Sequence, residues 1–142
     1  MTKSALKTLL CSVGLLITPW LFAQTESLSK ALNTQVSVSG QMTTAKFRDL
    51  LQDGFKSVIV NRPDQETGNL VSVNQLRNIA EQAHVAQLIY QPINAGKVFQ
   101  TDVVEFAKYY HELPKPILMI CRSGSRSSVL FNQAKSQGLL NE

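Results

Sequence analysis

One stretch constrains this chain more than any other: Ile117 to Ser128, read as Ile-Leu-Met-Ile-Cys-Arg-Ser-Gly-Ser-Arg-Ser-Ser. The four apolar residues Ile117 to Ile120 are too short a run for a buried helix and suit a strand covered on both faces. The run stops at Cys121, a small polar loop closed by Arg126 follows, and Val129 to Lys135 reads as a helix. Strand, loop and helix in that order, with a cysteine at the turn, are the repeating piece of a parallel α/β sheet.

A loop that enters a helix start favours anions, because unpaired backbone N–H groups and the positive end of the helix dipole face it. Helix N-termini with nearby arginine also favour the thiolate, the reactive form of cysteine. Cys121 is therefore the candidate nucleophile. Gly124 lets the backbone curl inward without a Cβ, and Ser123, Ser125, Ser127 and Ser128 add hydroxyl donors without bulk. Arg126 offers a planar, two-toothed donor set to a tetrahedral oxyanion, and Arg122 is a second cation beside the cysteine. The competing reading is an inert thiol at a strand end, beside a helix capped by Ser127.

The rest of the chain repeats the same alternation. Val36 to Val38 reads as a short strand ended by Gly40, and Thr43 or Thr44 caps a helix running to Asp53 with Phe47, Leu50 and Leu51 at helical spacing. Phe55 to Val60 is a β-rich run broken by Asn61-Arg62-Pro63-Asp64, since Pro63 cannot donate to a ladder. Ser72 opens a helix through Leu76, Ile79, Ala80 and Ala83, and Ala86 to Gln91 is a strand before Pro92. Thr101 caps a helix from Asp102 to Glu112, and Leu113 to Pro116 leads to the Ile117 strand. The expected fold is three-layer α/β, a central and mostly parallel sheet flanked by helices. Ligands of such sheets bind at the carboxyl ends of the strands, so the loops Asn61–Thr67, Ile93–Gln100 and Cys121–Ser127 are expected to converge on one pocket.

The N-terminus has a separate purpose. Lys3 and Lys7 precede an apolar stretch from Leu9 to Ile17, and Ala23 closes the segment, the pattern of a cleaved secretory signal over residues 1–23. The apolar run is shorter than the roughly 20 residues that a membrane span needs, although an uncleaved anchor is the alternative. Residues 24–35 then read as a polar lead-in that builds no core, and residues 36–142 as the domain. The expected location is periplasmic or secreted, with no stable membrane insertion after signal removal. The formal charge is +4 from 14 basic and 10 acidic residues; without Lys3 and Lys7 it is +2, too small and scattered to imply a nucleic-acid partner. With Cys11 removed, Cys121 is left as a single thiol. No pair of His, Cys, Asp or Glu has metal-ligand spacing and no glycine-rich nucleotide loop occurs, so neither metal nor cofactor is implied.

Outside the cysteine loop, Arg62, Asp64 and Glu66 carry the strongest charge at the expected pocket. Asp64 is the first choice for a general acid, against the alternative that it bonds its own backbone within the turn. Asp102 is second, although just after Thr101 it also fits a first-turn helix carboxylate. His84 and His111 sit near helix C-termini and read as structural.

Four stretches together resemble the phosphatase-like domain of beta-lactamase-hydrolase-like proteins: Ser39-Gly-Gln41, Val60-Asn-Arg-Pro-Asp-Gln-Glu66, Pro92-Ile93 and Cys121-Arg-Ser-Gly-Ser-Arg-Ser127. They span about Val36 to Gln133. The resemblance implies a cysteine-phosphatase-like fold, Cys121 as nucleophile, Arg126 as phosphate clamp, and Arg62, Arg122, Ser123, Gly124, Ser125 and Ser127 around a phosphorylated substrate, with Ser127 assisting hydrolysis of a phosphocysteine. Tyrosine phosphatases place five residues between cysteine and arginine and a histidine before the cysteine; here four residues intervene and Ile120 precedes. The loop looks equally like that of single-domain rhodaneses, which carry a persulfide and would use a sulfur donor, but the chain lacks their Gly-His-Ile-Pro-Gly-Ala-like segment. Sulfur transfer and a non-catalytic anion-binding module therefore stand beside phosphomonoester hydrolysis.

Overall fold

The computed structural model describes residues 12–16 and 27–142. The proposed signal cleavage site after Ala23, and Cys11, lie outside the described residues. No helix among those described is long and apolar enough to cross a membrane.

Among the described residues nine elements follow one another: β1 (Lys30–Ala31), β2 (Val36–Ser39), α1 (Thr44–Leu51), β3 (Ser57–Val60), α2 (Val73–Gln82), β4 (Gln87–Tyr90), α3 (Gln100–Glu112), β5 (Ile117–Ile120) and α4 (Ser125–Ser136). The sheet order is β1-β2-β5-β3-β4. β5 pairs in parallel with β2 on one side and β3 on the other, β4 joins β3 in parallel, and β1 runs antiparallel to β2. The stretch Ile117–Ile120 is thus the middle of the sheet, and all four of its residues are buried.

Alternate residues of that strand serve two cores. Ile117 and Met119 face Val36, Val38 and Ile59 together with α3 and α4, through Phe106, Leu130 and Phe131. Leu118 and Ile120 face the other way, toward Val58, Val60, Phe47, Leu50 and Leu76 of β3, α1 and α2. This is the expected three-layer arrangement, and it explains why β5 carries no polar residue. Phe47, Phe106 and Phe131 are each at most 1% exposed, and each such side chain stabilises the fold by about 1.5–3 kcal/mol of apolar burial.

The caps show how local sequence sets the helix starts. Thr43 accepts the N–H of Lys46, and Ser72 forms a reciprocal capping box with Gln75, as those residue types favour. α3 begins earlier than the Thr101 cap predicts: Phe99 holds the N-cap position, and the Asp102 carboxylate accepts its N–H at 2.8 Å.

One expectation is corrected at the N-terminal side. Lys30 and Ala31 pair with Val38 and Ser37, and Leu32 packs on the core, so residues 30–32 of the lead-in join the sheet and its core. Asn33 turns the chain, its Oδ1 accepting the N–H groups of Gln35 and Val36 at 2.8 and 2.7 Å. A two-residue strand is too short to show the alternation by which strands are read.

Candidate active site

The end of β5 holds Cys121 in the ladder: its N–H donates to Ser39 O at 3.2 Å. The residue is 1% exposed, and Sγ sits at the base of a backbone curl, where it accepts the Gly124 N–H at 2.9 Å. The curl needs two glycines. Gly124 has φ +89°, a left-handed conformation that a side chain would strain. Gly40, at the end of β2, lies so close to the loop that a Cβ there would be 2.9 Å from Arg122 O and 3.1 Å from Ser123 Cα.

α4 starts directly after the curl, at Ser125 rather than near Val129. Its first intrahelical bond runs from Ser128 N to Gly124 O at 3.0 Å, so the N–H groups of Ser125, Arg126 and Ser127 have no carbonyl in their own helix and point back toward the loop. The helix dipole adds to this positive end. Four polar residues in the first turn hide the helix from a hydrophobic-periodicity reading, because here they serve the loop and a buried polar joint.

That joint ties the strand ends together. Ser127, fully buried, donates its hydroxyl to Asn61 Oδ1 at 2.8 Å; Asn61 Nδ2 donates to Gln91 O at 3.0 Å, and Asn61 O accepts the Ile93 N–H at 2.8 Å. The three expected loops do meet, and Asn61 is the residue that joins them.

Arg126 is fixed by its neighbours. Glu66 takes its terminal edge in a two-bond fork, Nη1 to Oε2 at 2.8 Å and Nη2 to Oε1 at 3.0 Å, while Nη1 also donates to Ile93 O at 2.7 Å. Of the five guanidinium donors, these bonds use three and leave the Nε–H and second Nη2–H edge for another oxyanion. The hydrogen bond from Arg126 holds the Glu66 carboxyl below its usual range despite partial desolvation, and the charges of Arg126, Arg62 and Arg122 act in the same direction.

The remaining site candidates are placed less directly. Arg62, 3% exposed, donates to Gln41 Oε1 and to Thr67 O, and its Nε stands 3.3 Å from Glu66. It supports Glu66 from behind rather than facing a cleft. Asp64 lies at the start of α2, its Oδ1 accepting the Val73 N–H at 2.8 Å while its own N–H bonds Tyr90 Oη. Arg122, Ser123 and Ser125 are exposed along the loop, with the two serine hydroxyls 2.7 Å apart. His84, with φ +58°, ends α2, and the His111 ring contacts Leu139 O.

Residues 29–138 match the sequence profile of the beta-lactamase hydrolase-like protein, phosphatase-like domain. The chain belongs to this family. Beta-lactamase hydrolase-like proteins of Xylella fastidiosa and Agrobacterium fabrum are 31% and 27% identical to it over 104 and 100 residues, covering 70% of this chain. The chain spans 23% of the length of those relatives. Among solved structures, a candidate phosphatase from Neisseria meningitidis superposes with a TM-score of 0.67 at 32% identity, covering 72% of both chains. The core catalytic domain of a PP-IP phosphatase from S. cerevisiae shares the fold at 15% identity, with a TM-score of 0.57 over 71% of this chain and 60% of that one. This phosphatase-like domain has a cysteine-phosphatase-like architecture, and its matched region takes in β1.

Two clefts flank the cysteine loop of the phosphatase-like domain. One, about 380 Å³, lies between the Ser27–Lys30 segment and Ser123–Ser125. The other, about 490 Å³, lies between Ala95–Val98 and the exposed side of α4. Sequence reading missed the central part of Glu66, the joint at Asn61 and the wall at Lys97. For Glu66 the available signal was spacing: Arg62 and Glu66 flank a proline turn at a strand end, four residues apart, so the two side chains pair.

Proposed function

We propose that this domain hydrolyses phosphomonoesters through a phosphocysteine on Cys121. The observation that carries the reading is Cys121 Sγ at the base of a curl, where it accepts the Gly124 N–H at 2.9 Å, with the N-terminus of α4 directly after it and Arg126, held by Glu66, in that helix's first turn. A phosphoryl group entering the curl offers its oxygens to those donors, and negative charge that develops on them is stabilised by groups already in place. Sγ forms the S–P bond as the P–O bond to the alcohol breaks, and a proton reaches the departing oxygen. Water then attacks phosphorus, the P–S bond breaks, and inorganic phosphate and the thiolate are released. Asp64 is the proposed proton source, and Arg62 reaches the substrate only through Glu66 and Arg126. Export by the N-terminal segment would place this chemistry in the periplasm or outside the cell.

Sulfur transfer is the second reading, favoured by the four-residue spacing from Cys121 to Arg126 and by the helix start at Ser125. In that reaction Sγ takes the outer sulfur of thiosulfate, sulfite leaves, and cyanide accepts the sulfur as thiocyanate. The test is a paired assay on reduced protein: an aryl phosphate in one arm, thiosulfate with cyanide in the other, and Cys121→Ser as control in both. Cysteine-dependent phosphate release is the expected result. Thiocyanate alone would assign a sulfurtransferase, and silence in both arms with anion binding retained would assign a binding module.

A further inference from the structure

The larger cleft beside the loop has a charge pattern that phosphate binding alone does not use. Its helical wall is the row Ser125, Val129 and Gln133, residues four apart and therefore stacked on one face of α4. From Ser125 to Gln133 that wall runs for about 12 Å at the helical rise of 1.5 Å per residue. The facing wall is Ala95 to Val98. Val98 and Val129 make the space between them partly apolar, and its volume of about 490 Å³ is within the range of small-molecule sites, about 300–1,000 Å³.

Three cations line this cleft, Lys97, Arg122 and Arg126, and none of the described lining residues is acidic. Arg126 is already balanced by the Glu66 fork. Lys97 and Arg122 are both exposed; the Lys97 ammonium lies 4.8 Å over the Phe99 ring, which braces it on the wall opposite α4. Two exposed cations that form no salt bridge among the described residues thus border a partly apolar slot that opens next to the cysteine loop.

We infer that the cleft is a leaving-group subsite for a small phosphomonoester whose apolar body carries a second negative charge, received by Lys97 with Arg122. The inference rests on the phosphatase reading for its catalytic arm, but the subsite makes a separate demand on binding. The phosphate occupies the curl, the body lies between Val98 and Val129, and the second anion meets the cations at the rim.

The test uses two aryl phosphates that differ only in that charge: 3-(4-phosphonooxyphenyl)propanoate and its primary amide. The methylene spacer keeps their phenol leaving groups chemically alike. kcat/KM for the acid is expected to exceed that for the amide by about threefold to fivefold at low ionic strength, the range of a partly exposed ion pair. The preference should reside in KM, fade with salt, and fall toward one in Lys97→Ala. A parallel arm measures binding of the corresponding methylenephosphonates to Cys121→Ser protein by calorimetry. A binding preference without turnover of either ester would keep the subsite and overturn the phosphatase reading. Turnover with equal kcat/KM for acid and amide, equal binding of the two phosphonates, or a preference that survives Lys97→Ala would overturn the subsite.

Discussion

Replacing Glu66 with Gln tests whether Arg126, the proposed phosphate clamp, is oriented by its partner. The carboxylate accepts two Arg126 donors at 2.8 and 3.0 Å and lies 3.3 Å from Arg62 Nε. The amide keeps the volume and one acceptor oxygen, but its NH₂ then faces a guanidinium N–H, so one fork bond is lost and two arginines lose their counter-charge. A hydrogen bond to a charged group contributes about 1.5–3 kcal/mol; with Glu66 14% and Arg126 10% exposed, water recovers part of it, and a loss of about 1.5 kcal/mol is expected. Arg126 would keep its bond to Ile93 O but could turn about it, and a misplaced clamp costs on the order of 10²-fold in turnover. The pH dependence gives an independent sign. Arg126 lowers the Glu66 pKa from its ordinary 4.5, so the carboxylate's stabilisation is complete above that value and disappears as pH falls through the lower folded value. Urea unfolding should therefore separate wild type from Glu66→Gln most at pH 7 and progressively less below pH 4.5. Equal stability at pH 7, or reduced stability with unchanged phosphate release, would refute the orienting role.

Three further substitutions read other parts of the site. Gly40→Ala places a Cβ 2.9 Å from Arg122 O; urea unfolding should show a loss of about 1–3 kcal/mol from overpacking, and phosphate release should fall because the cysteine loop is displaced. Ser127→Ala leaves buried Asn61 Oδ1 without its donor, an expected loss of about 1–3 kcal/mol by thermal or urea unfolding. Asp64→Asn retains an acceptor for the Val73 N–H but removes a charge at the start of α2, a change of about 0.3–1 kcal/mol. If Asp64 is the acid, kcat falls for alkyl phosphates and little for nitrophenyl phosphate; equal kcat on both ester types removes it from the mechanism.

The parts of this molecule that were legible in its sequence are those controlled by neighbouring residues. Ile117–Ile120 reads as a buried central strand because no polar residue interrupts it, and Thr43 and Ser72 mark helix starts because their hydroxyls bond the next turn. Cys121, Gly124 and Arg126 are visible as a unit because thiol, curl and arginine fit within six residues. β1 is hidden because its two residues gain their order from β2. The clamp's orientation is hidden for a related reason: Glu66 lies 60 residues before Arg126, and nothing near either residue specifies the pairing. It follows from the sheet order, which sets β3 beside β5 and so brings the Asn61–Thr67 loop alongside the start of α4. The cysteine loop thus supplies the thiol and the arginine, while the exit of β3 supplies Asn61 and Glu66, which bond Ser127 and Arg126. A loop of this sequence grafted onto another strand–helix turn would keep its thiol and its helix N-terminus, but its arginine would lack the Glu66 fork that fixes its orientation here.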